Sequence, residues 1–527
     1  FSCYIWNISK VMSLAANIKK VKKETVIVLG GPEVSYDSKA FLEKHSFVDY
    51  MIRGEGEKTF TELLDFLVQG KGNINDIMGL SFIAGNEIIE TGSREPISDL
   101  DELPFPYNSF LPLKDKIIYY ETSRGCPFYC TYCLSSVERS VRYFSPERVK
   151  KDLDFFIEKE VPQVKFVDRT FNLKPDRCLE IMRYIQEKDN GITNFHFEMN
   201  GDLLDDEMLT FLKSVRKGLF QFEIGVQSTC EESLDAVKRK MNFEKFKENV
   251  QRLVSYGNIH IHLDLIAGLP YESYETFKKS FNDVYALKPH NLQLGFLKLL
   301  KGSPLRNDYL KHGYIFREEE PYEVLSNKYL SADELIKLKM IEDILEKYYN
   351  RPGFRGALRY ILENYDGRYF TFFERFTSYW YKNEYQHISH SKEALYEILL
   401  SYFKEKERDN TEIFEEILLY DKLRITFRQR REDDENINLK IHEILHDADF
   451  RNSFMPHYNN LKAKEVKKNL GHRLFHYNIH EYVHKNKKLE PKMNLCLFDY
   501  GNKDVFGQAA VYCIDDINLF MEDNQID

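Results

Sequence analysis

The sequence predicts an α/β protein in three parts. These are an open, Rossmann-like half-sheet, a barrel-like run of about six β/α units, and a mostly helical C-terminal region ending in strands. Three observations carry that expectation. Strand-length apolar runs alternate with helical spacing up to about residue 315. The stretch Leu100-Asp-Glu-Leu-Pro-Phe-Pro-Tyr107 interrupts the alternation with two close prolines, as an extended linker does. From about residue 320 helical periodicity takes over. The implied domains are 1–98, 112–315 and 320–527.

In chain order, Phe1–Trp6 reads as a buried strand and Lys10–Lys20 as a helix. A chain opening on Phe, inside a strand, suggests that the first domain lacks its opening strands. Thr25–Leu29 is a β-branched strand ending in Gly30-Gly31-Pro-Glu-Val-Ser35. Lys39–His45 is helical and Tyr50–Ile52 a short strand. Arg53-Gly54-Glu55-Gly56-Glu57 then precedes an amphipathic helix, Lys58–Val68. Glycine-rich turns after strand ends are where open parallel sheets bind ligands, although plain βα connections have the same composition. In the second series the strands are Ile117–Tyr120, Gln163–Val167, Phe195–Glu198, Phe220–Val226, His260–Ile266 and Leu292–Phe296. Helices such as Pro146–Lys159 and Phe243–Tyr256 lie between them. Residues 331–350 and 392–420 are helical, and Met493–Asp499 and Ala509–Ile514 are terminal strands. His472, His476, His480 and His484 recur every fourth residue. Aromatic and β-branched neighbours predict a strand over 474–483, which would hold these histidines too far apart to share a metal ion.

Composition narrows the function. With 43% hydrophobic and 30% charged residues the 527-residue chain is globular. No apolar run approaches the roughly 20 residues that span a bilayer. Lys+Arg 74 against Asp+Glu 84 gives a net charge of −10, which argues against non-specific binding to nucleic acid. The basic stretch Arg424 to Arg431 abuts Glu432, Asp433 and Asp434 and reads as a solvated mixed-charge loop. Eight cysteines are too few for a disulfide scaffold, and the chain reads as cytoplasmic with its clustered thiols reduced.

The strongest signal is Arg124-Gly-Cys126-Pro-Phe-Tyr-Cys130-Thr-Tyr-Cys133, three thiols directly after a strand. A cubane cluster takes one thiolate per iron, so three leave one iron open for a ligand. A structural zinc would want a fourth Cys or His nearby, and chance burial rarely gives this spacing. Cys178, Cys230, Cys496 and Cys513 lie far from the motif and are expected to take no part.

This CxxxCxxC, with Tyr132 before its last cysteine, resembles the radical S-adenosylmethionine (SAM) superfamily. The resemblance implies a [4Fe-4S] cluster on Cys126, Cys130 and Cys133, and reductive cleavage of SAM to a 5′-deoxyadenosyl radical. It also implies Tyr132, Glu198, Glu223, Gln227, Ile266 and Gly268 as SAM neighbours. The superfamily's Gly-Gly-Glu is absent, and Asp168-Arg-Thr-Phe-Asn172 stands in its place. The half-sheet and the Leu-Pro-Phe-Pro linker resemble the cobalamin-binding subgroup, with Gly30, Gly31, Gly54 and Glu55 as the implied corrinoid contacts. An Asp-x-His-x-x-Gly motif is absent from the sequence. Residues 320–527 resemble the uncharacterised C-terminal domain of some cobalamin-type members. The implied activity is cobalamin-dependent methyl transfer to an unactivated carbon, with an electron donor such as flavodoxin or ferredoxin. The alternatives are a methylthiotransferase-like or other radical SAM modification, and a non-enzymatic iron–sulfur or zinc scaffold.

Overall fold

The computed structural model describes residues 1–107, 113–363, 368–406, 410–426, 435–485, 487–504 and 507–514. The chain divides into two compact units, residues 1–289 with 294–337, and residues 290–293 with 338–527.

The first unit begins with a four-stranded sheet in the order β1 (Val28–Gly30), β2 (Tyr50–Ile52), β3 (Leu80–Ala84), β4 (Glu87–Glu90). β1 and β2 are parallel, and the remaining pairs antiparallel. Helix Ile8–Val21 buries Ile8, Val11 and Ala15 in a core shared with Leu29, Leu42 and Met51. Helix Glu57–Gln69 packs Leu63 with Ile52 and Leu80. The strand expected over Phe1–Trp6 does not form. Ser2 makes one parallel bridge to Gly30. The Asn7 side chain then captures the Tyr4 N–H at 2.8 Å and turns the chain into the helix. A local side-chain acceptor outcompetes the ladder there.

The barrel sheet runs β12-β11-β10-β9-β8-β5 and is parallel from β5 through β11. Its strands are β5 (Ile117–Tyr120), β8 (Gln163–Phe166), β9 (Asn194–Met199), β10 (Phe220–Gln227), β11 (His260–Ala267) and β12 (Asn291–Phe296). A two-stranded ribbon, β6 (Ser123–Arg124) with β7 (Arg142–Tyr143), interrupts the series after β5. A hairpin, β13 (Ile315–Phe316) with β14 (Val324–Ser326), follows β12. The alternation of β10 and β11 has a physical reading. Phe222, Ile224, Val226, Ile261, Leu263 and Leu265 are wholly buried. Intervening Glu223, Gln227, His262 and Asp264 are half-buried on the other face, as a period of two requires. Several helices between strands start on side-chain caps. Ser145 accepts from Arg148 N ahead of Pro146–Glu158, and Asn242 from Lys245 N ahead of Phe243–Tyr256.

In the second unit, helices Tyr369–Lys382 and Lys392–Lys406 bury Phe372, Phe376, Trp380 and Tyr402 completely. Asp421, on helix Thr411–Leu423, reaches the start of helix Arg355–Glu363 and accepts from the N–H groups of Gly356 (3.1 Å) and Ala357 (2.8 Å). The terminal sheet is antiparallel, in the order β15 (Leu470–Tyr477), β16 (Pro491–Lys503), β17 (Ala509–Ile514). Cys496 and Cys513 face each other across β16 and β17 and are joined as a disulfide.

The strand expected over 474–483 is half correct. β15 stops at Tyr477, and Ile479–Lys485 is a helix. Asn478 makes the break. Its side chain donates to Lys488 O and accepts from Glu490 N, while its carbonyl receives Tyr482 N–H. His472 and His476 lie on the strand; His480 and His484 lie on the helix with ring centroids 5.0 Å apart. Among the described residues no three His, Cys, Asp or Glu side chains converge on one ion position. Most of the mixed-charge stretch, residues 427–434, lies outside the described residues. No described helix is long and apolar enough to cross a membrane.

Candidate functional site

The three cysteines lie on the segment closed by the β6–β7 ribbon, immediately after the C-terminal end of β5. Backbone bonds fix this loop. Cys126 N–H donates to Glu138 O at 3.0 Å, and Thr131 N–H to Val237 O at 3.0 Å. Leu305 N–H donates to Thr131 O at 2.9 Å. Gly125 has φ +93°, and a Cβ there would lie 2.1 Å from Ser140 O, so no other residue fits the turn. Asp168, 1% exposed at the end of β8, accepts from Thr122 N (3.0 Å), Thr122 Oγ1 (2.6 Å) and Ser123 Oγ (2.5 Å). Its carboxylate thus anchors the approach to the loop, and its neighbours Arg169 and Thr170 face the cavity instead.

That cavity measures about 240 Å³. It is lined by Cys126, Cys130, Tyr132 and Cys133 from the loop and by Glu198, Glu223 and Gln227 from β9 and β10. Seven of the residues expected at the cluster and SAM therefore share one space. Ile266, Gly268, Gly30, Gly31, Gly54 and Glu55 are not among its lining. Gly268 instead turns the chain after β11 with φ +97°, its carbonyl accepting from Tyr314 Oη (3.1 Å) and Asn327 Nδ2 (2.9 Å). Sequence reasoning missed Arg239 and Asp264, which also line the cavity, as does Arg169 of the segment that stands in place of Gly-Gly-Glu. Strand alternation could have found Asp264; Arg239, beyond a short helix, left no signal.

The electrostatics divide the carboxylates. Glu223 is held at about 2 by the His196 ring, whose Nε2 lies 3.1 Å from its Oε2, with Lys165 (3.0 Å) adding to the effect against burial. Burial pushes Glu198 up to about 7 and Asp264 up to about 8, and the neighbouring carboxylates add to both. The half-buried Arg239 places Nη1 3.9 Å from Cys130 Sγ and bonds Gly225 O through Nη2. Gln227 sits at a register shift in β10 with φ +72°, a strained backbone of the kind that aims side chains at functional sites. Gln227 Oε1, Asp264 Oδ1 and Arg239 Nε are buried without a hydrogen-bond partner. A polar ligand in the cavity would satisfy them. Three thiols on one wall beside such atoms fit an iron–sulfur cluster with a polar cosubstrate.

The half-sheet meets the same end of the barrel. Gly31, with φ +103°, lies so close to Cys3 that a Cβ would be 2.7 Å from its carbonyl oxygen. Ser35 Oγ ties the two glycine turns, donating to Gly31 O (2.9 Å) and accepting from Gly54 N (3.3 Å). Gly54, φ +72°, has open space where a Cβ would stand. Glu55 is different. Its carboxylate is taken up by Arg142, by Ile97 N (2.8 Å) and by Arg124 (3.3 Å), so it makes intramolecular contacts in this structure.

Comparisons with known proteins agree with this architecture. Residues 1–64 match the B12 binding domain, 120–284 the Radical SAM superfamily, and 310–498 the family described as Protein of unknown function (DUF4080). The chain is 26% identical over 418 residues to 2-(S-pantetheinyl)-carbapenam-3-carboxylate methyltransferase of Streptantibioticus cattleyicolor, covering 72% of this chain and 60% of that protein. It is 28% identical over 327 residues to the cobalamin-dependent radical SAM methyltransferase TokK of Streptomyces tokunonensis, covering 58% and 47%. The chain thus spans about half to three-fifths of the length of these relatives. Among solved structures, the cobalamin-dependent SAM radical enzyme OxsB has the same fold with TM-score 0.54 at 16% identity, covering 80% of this chain and 70% of that one. The chain therefore carries a radical SAM domain, with a B12-binding domain before it and a DUF4080 domain after it.

Proposed function

We propose that this chain is a cobalamin-dependent radical SAM methyltransferase acting on an unactivated carbon. The observation that carries the reading is the opening of the three-thiol loop onto a polar cavity at the barrel end where the half-sheet's glycine turns are docked. The chemistry these groups supply when bound is one-electron cleavage of the SAM sulfonium and transfer of a methyl group through cobalamin. The chain's own residues do the rest. Cys126, Cys130 and Cys133 hold the cluster, and Arg239 offsets thiolate charge at Cys130. Tyr132, Gln227, Glu198 and Glu223 line the SAM side, with Ile266 and Gly268 shaping the turn behind it. Gly54 leaves room for a corrinoid at the strand end, and Gly30 and Gly31 shape the neighbouring turn where it would lie. Arg169 and Asp264 join the substrate wall. The domains are read as 1–98, 112–315 and 320–527. The electron donor is a flavodoxin or ferredoxin, and the compartment is the cytoplasm. Cys3, upstream of the motif, is wholly buried in the half-sheet core.

Anaerobic reconstitution tests the reading. The expected result is about four irons per chain, a corrinoid band on added cobalamin, and 5′-deoxyadenosine or methylated product on reduction with SAM. The Cys126→Ala/Cys130→Ala/Cys133→Ala chain should yield neither product. If it still cleaves SAM, the assignment of the cluster is wrong.

A further inference from the structure

The neck of the cysteine-bearing loop is built in an unusual way. Arg124 and Arg142 are direct cross-strand partners in the β6–β7 ribbon. Like charges so placed repel, and here they close the segment that carries all three cysteines. One carboxylate lies between them. Glu55 Oε1 is 2.6 Å from Arg142 Nη2 and 3.3 Å from Arg124 Nη1, and Oε2 is 3.1 Å from Arg142 Nη1. Glu55 belongs to the turn after β2 of the half-sheet, so the neutralising charge comes from the other domain of this unit. Supporting carboxylates complete the node. Glu57 and Glu121 accept from Arg124 at 2.7 and 2.9 Å, and Glu138 accepts from Arg142. Glu138 in turn gives its carbonyl to Cys126 N–H. The chain of contacts from half-sheet to first cysteine is therefore Glu55, Arg142, Glu138, Cys126.

The side chains at the centre are shielded. Arg124, Arg142 and Glu55 are 17%, 12% and 18% exposed, whereas Glu57 is 39% exposed. A charge-assisted contact at the shielded positions is screened much less than one at Glu57. Removing Glu55 would take away the one carboxylate that both half-buried guanidiniums share, leaving each only its own supporting partners.

We infer that Glu55 is a positioning residue. By neutralising Arg124 and Arg142 it lets the half-sheet clamp the neck of the loop that presents Cys126, Cys130 and Cys133. This rests on the proposed cluster assignment and goes beyond it, because it makes the geometry of the thiols depend on the docked half-sheet. A bidentate, shielded carboxylate is replaced poorly by an amide, which accepts through one oxygen and carries no charge.

The test uses the full chain and has two readouts. The first is hydrogen exchange of the amides in residues 124–142, measured before and after anaerobic cluster reconstitution. Glu55→Gln should speed exchange there by about tenfold and leave β15–β17 unchanged. Glu57→Gln, at the exposed edge, should change it by less than about twofold. The second is the electron paramagnetic resonance spectrum of the reduced cluster. Glu55→Gln should shift its g-values at unchanged iron content, and Glu55→Asp should restore part of the wild-type signal. Arg142→Gln is measured alongside, so that a poorly folding Glu55 variant does not decide the matter. Since it leaves Glu55 facing only Arg124, it should loosen the same amides. Unchanged exchange in 124–142 in both Glu55→Gln and Arg142→Gln would overturn the inference. A wild-type chain that takes up no iron would count against the cluster assignment, while the exchange data would still judge the clamp.

Discussion

Glu272 offers a prediction whose size follows from its surroundings. It lies just beyond β11, 1% exposed, and its Oε1 accepts from Ser228 Oγ at 2.5 Å and from Ser280 Oγ at 2.9 Å. It thereby ties the turn after β10 to helix Tyr274–Tyr285. Oε2 is buried without a partner, and burial raises the carboxyl to about 7 in spite of the two hydroxyls. The unfolded chain releases this proton near 4.5 while the folded chain keeps it to about 7, so folding stability falls as pH rises through that window. The gap from 4.5 to about 7, at about 1.4 kcal/mol per pH unit, is worth about 3 kcal/mol. Glu272→Gln keeps the shape and cannot ionise. Urea unfolding of wild type and variant should therefore show a difference that grows in the variant's favour by about 3 kcal/mol between pH 4.5 and 8. Every other titrating group is common to both chains and cancels. A difference that stays constant across that range would refute the reasoning, because Glu272 would then ionise as readily folded as unfolded.

Gly125→Ala should abolish cluster uptake or reduce it severely, since the added Cβ meets the Ser140 carbonyl at a φ of +93°; iron analysis after reconstitution checks it. Asp421→Ala removes the acceptor for Gly356 and Ala357 N–H, and should lower the stability of the second unit by about 2 kcal/mol in urea titrations. In the oxidised protein, Cys513→Ser opens the 17-residue cross-strand link to Cys496 and should lower thermal stability by about 3 kcal/mol, with no effect on iron content. On the proposed reading, Gln227→Ala should leave the far-ultraviolet spectrum intact and weaken SAM binding by about tenfold in equilibrium dialysis.

The barrel was legible because its strands announce both faces at once. Phe220-Gln-Phe-Glu-Ile-Gly-Val-Gln227 alternates without a break, and the structure buries every second residue of it. The thiol spacing likewise identified its loop, and Glu198, Glu223 and Gln227 join it in one cavity. What the sequence hid were decisions made by single side chains or distant partners. Asn7 turns an apolar opening away from the sheet, and Asn478 converts the second half of a strand-like run into a helix. The contact of Arg239 with Cys130 spans 109 positions, and no local pattern encodes it. Glu55 shows the same limit. Its place in a glycine turn suggested a ligand contact, while the arginines that claim it lie 69 and 87 residues downstream.

The order β12-β11-β10-β9-β8-β5 leaves the outermost strands with one sheet neighbour each. A closed eight-stranded barrel has a continuous hydrogen-bonded wall, and only its mouth admits a substrate. Here one side of the lumen is bounded, wherever it is bounded, by side chains and loops. Such a boundary yields through rotamer changes and loop motion on nanosecond to microsecond timescales, whereas opening a ladder requires breaking backbone bonds. The 240 Å³ beside the thiols, which on the proposed reading also houses the cluster and SAM, therefore sets no ceiling on the length of a substrate. Substrate screens should include chains, rings and peptides far larger than the cavity, entering edgewise.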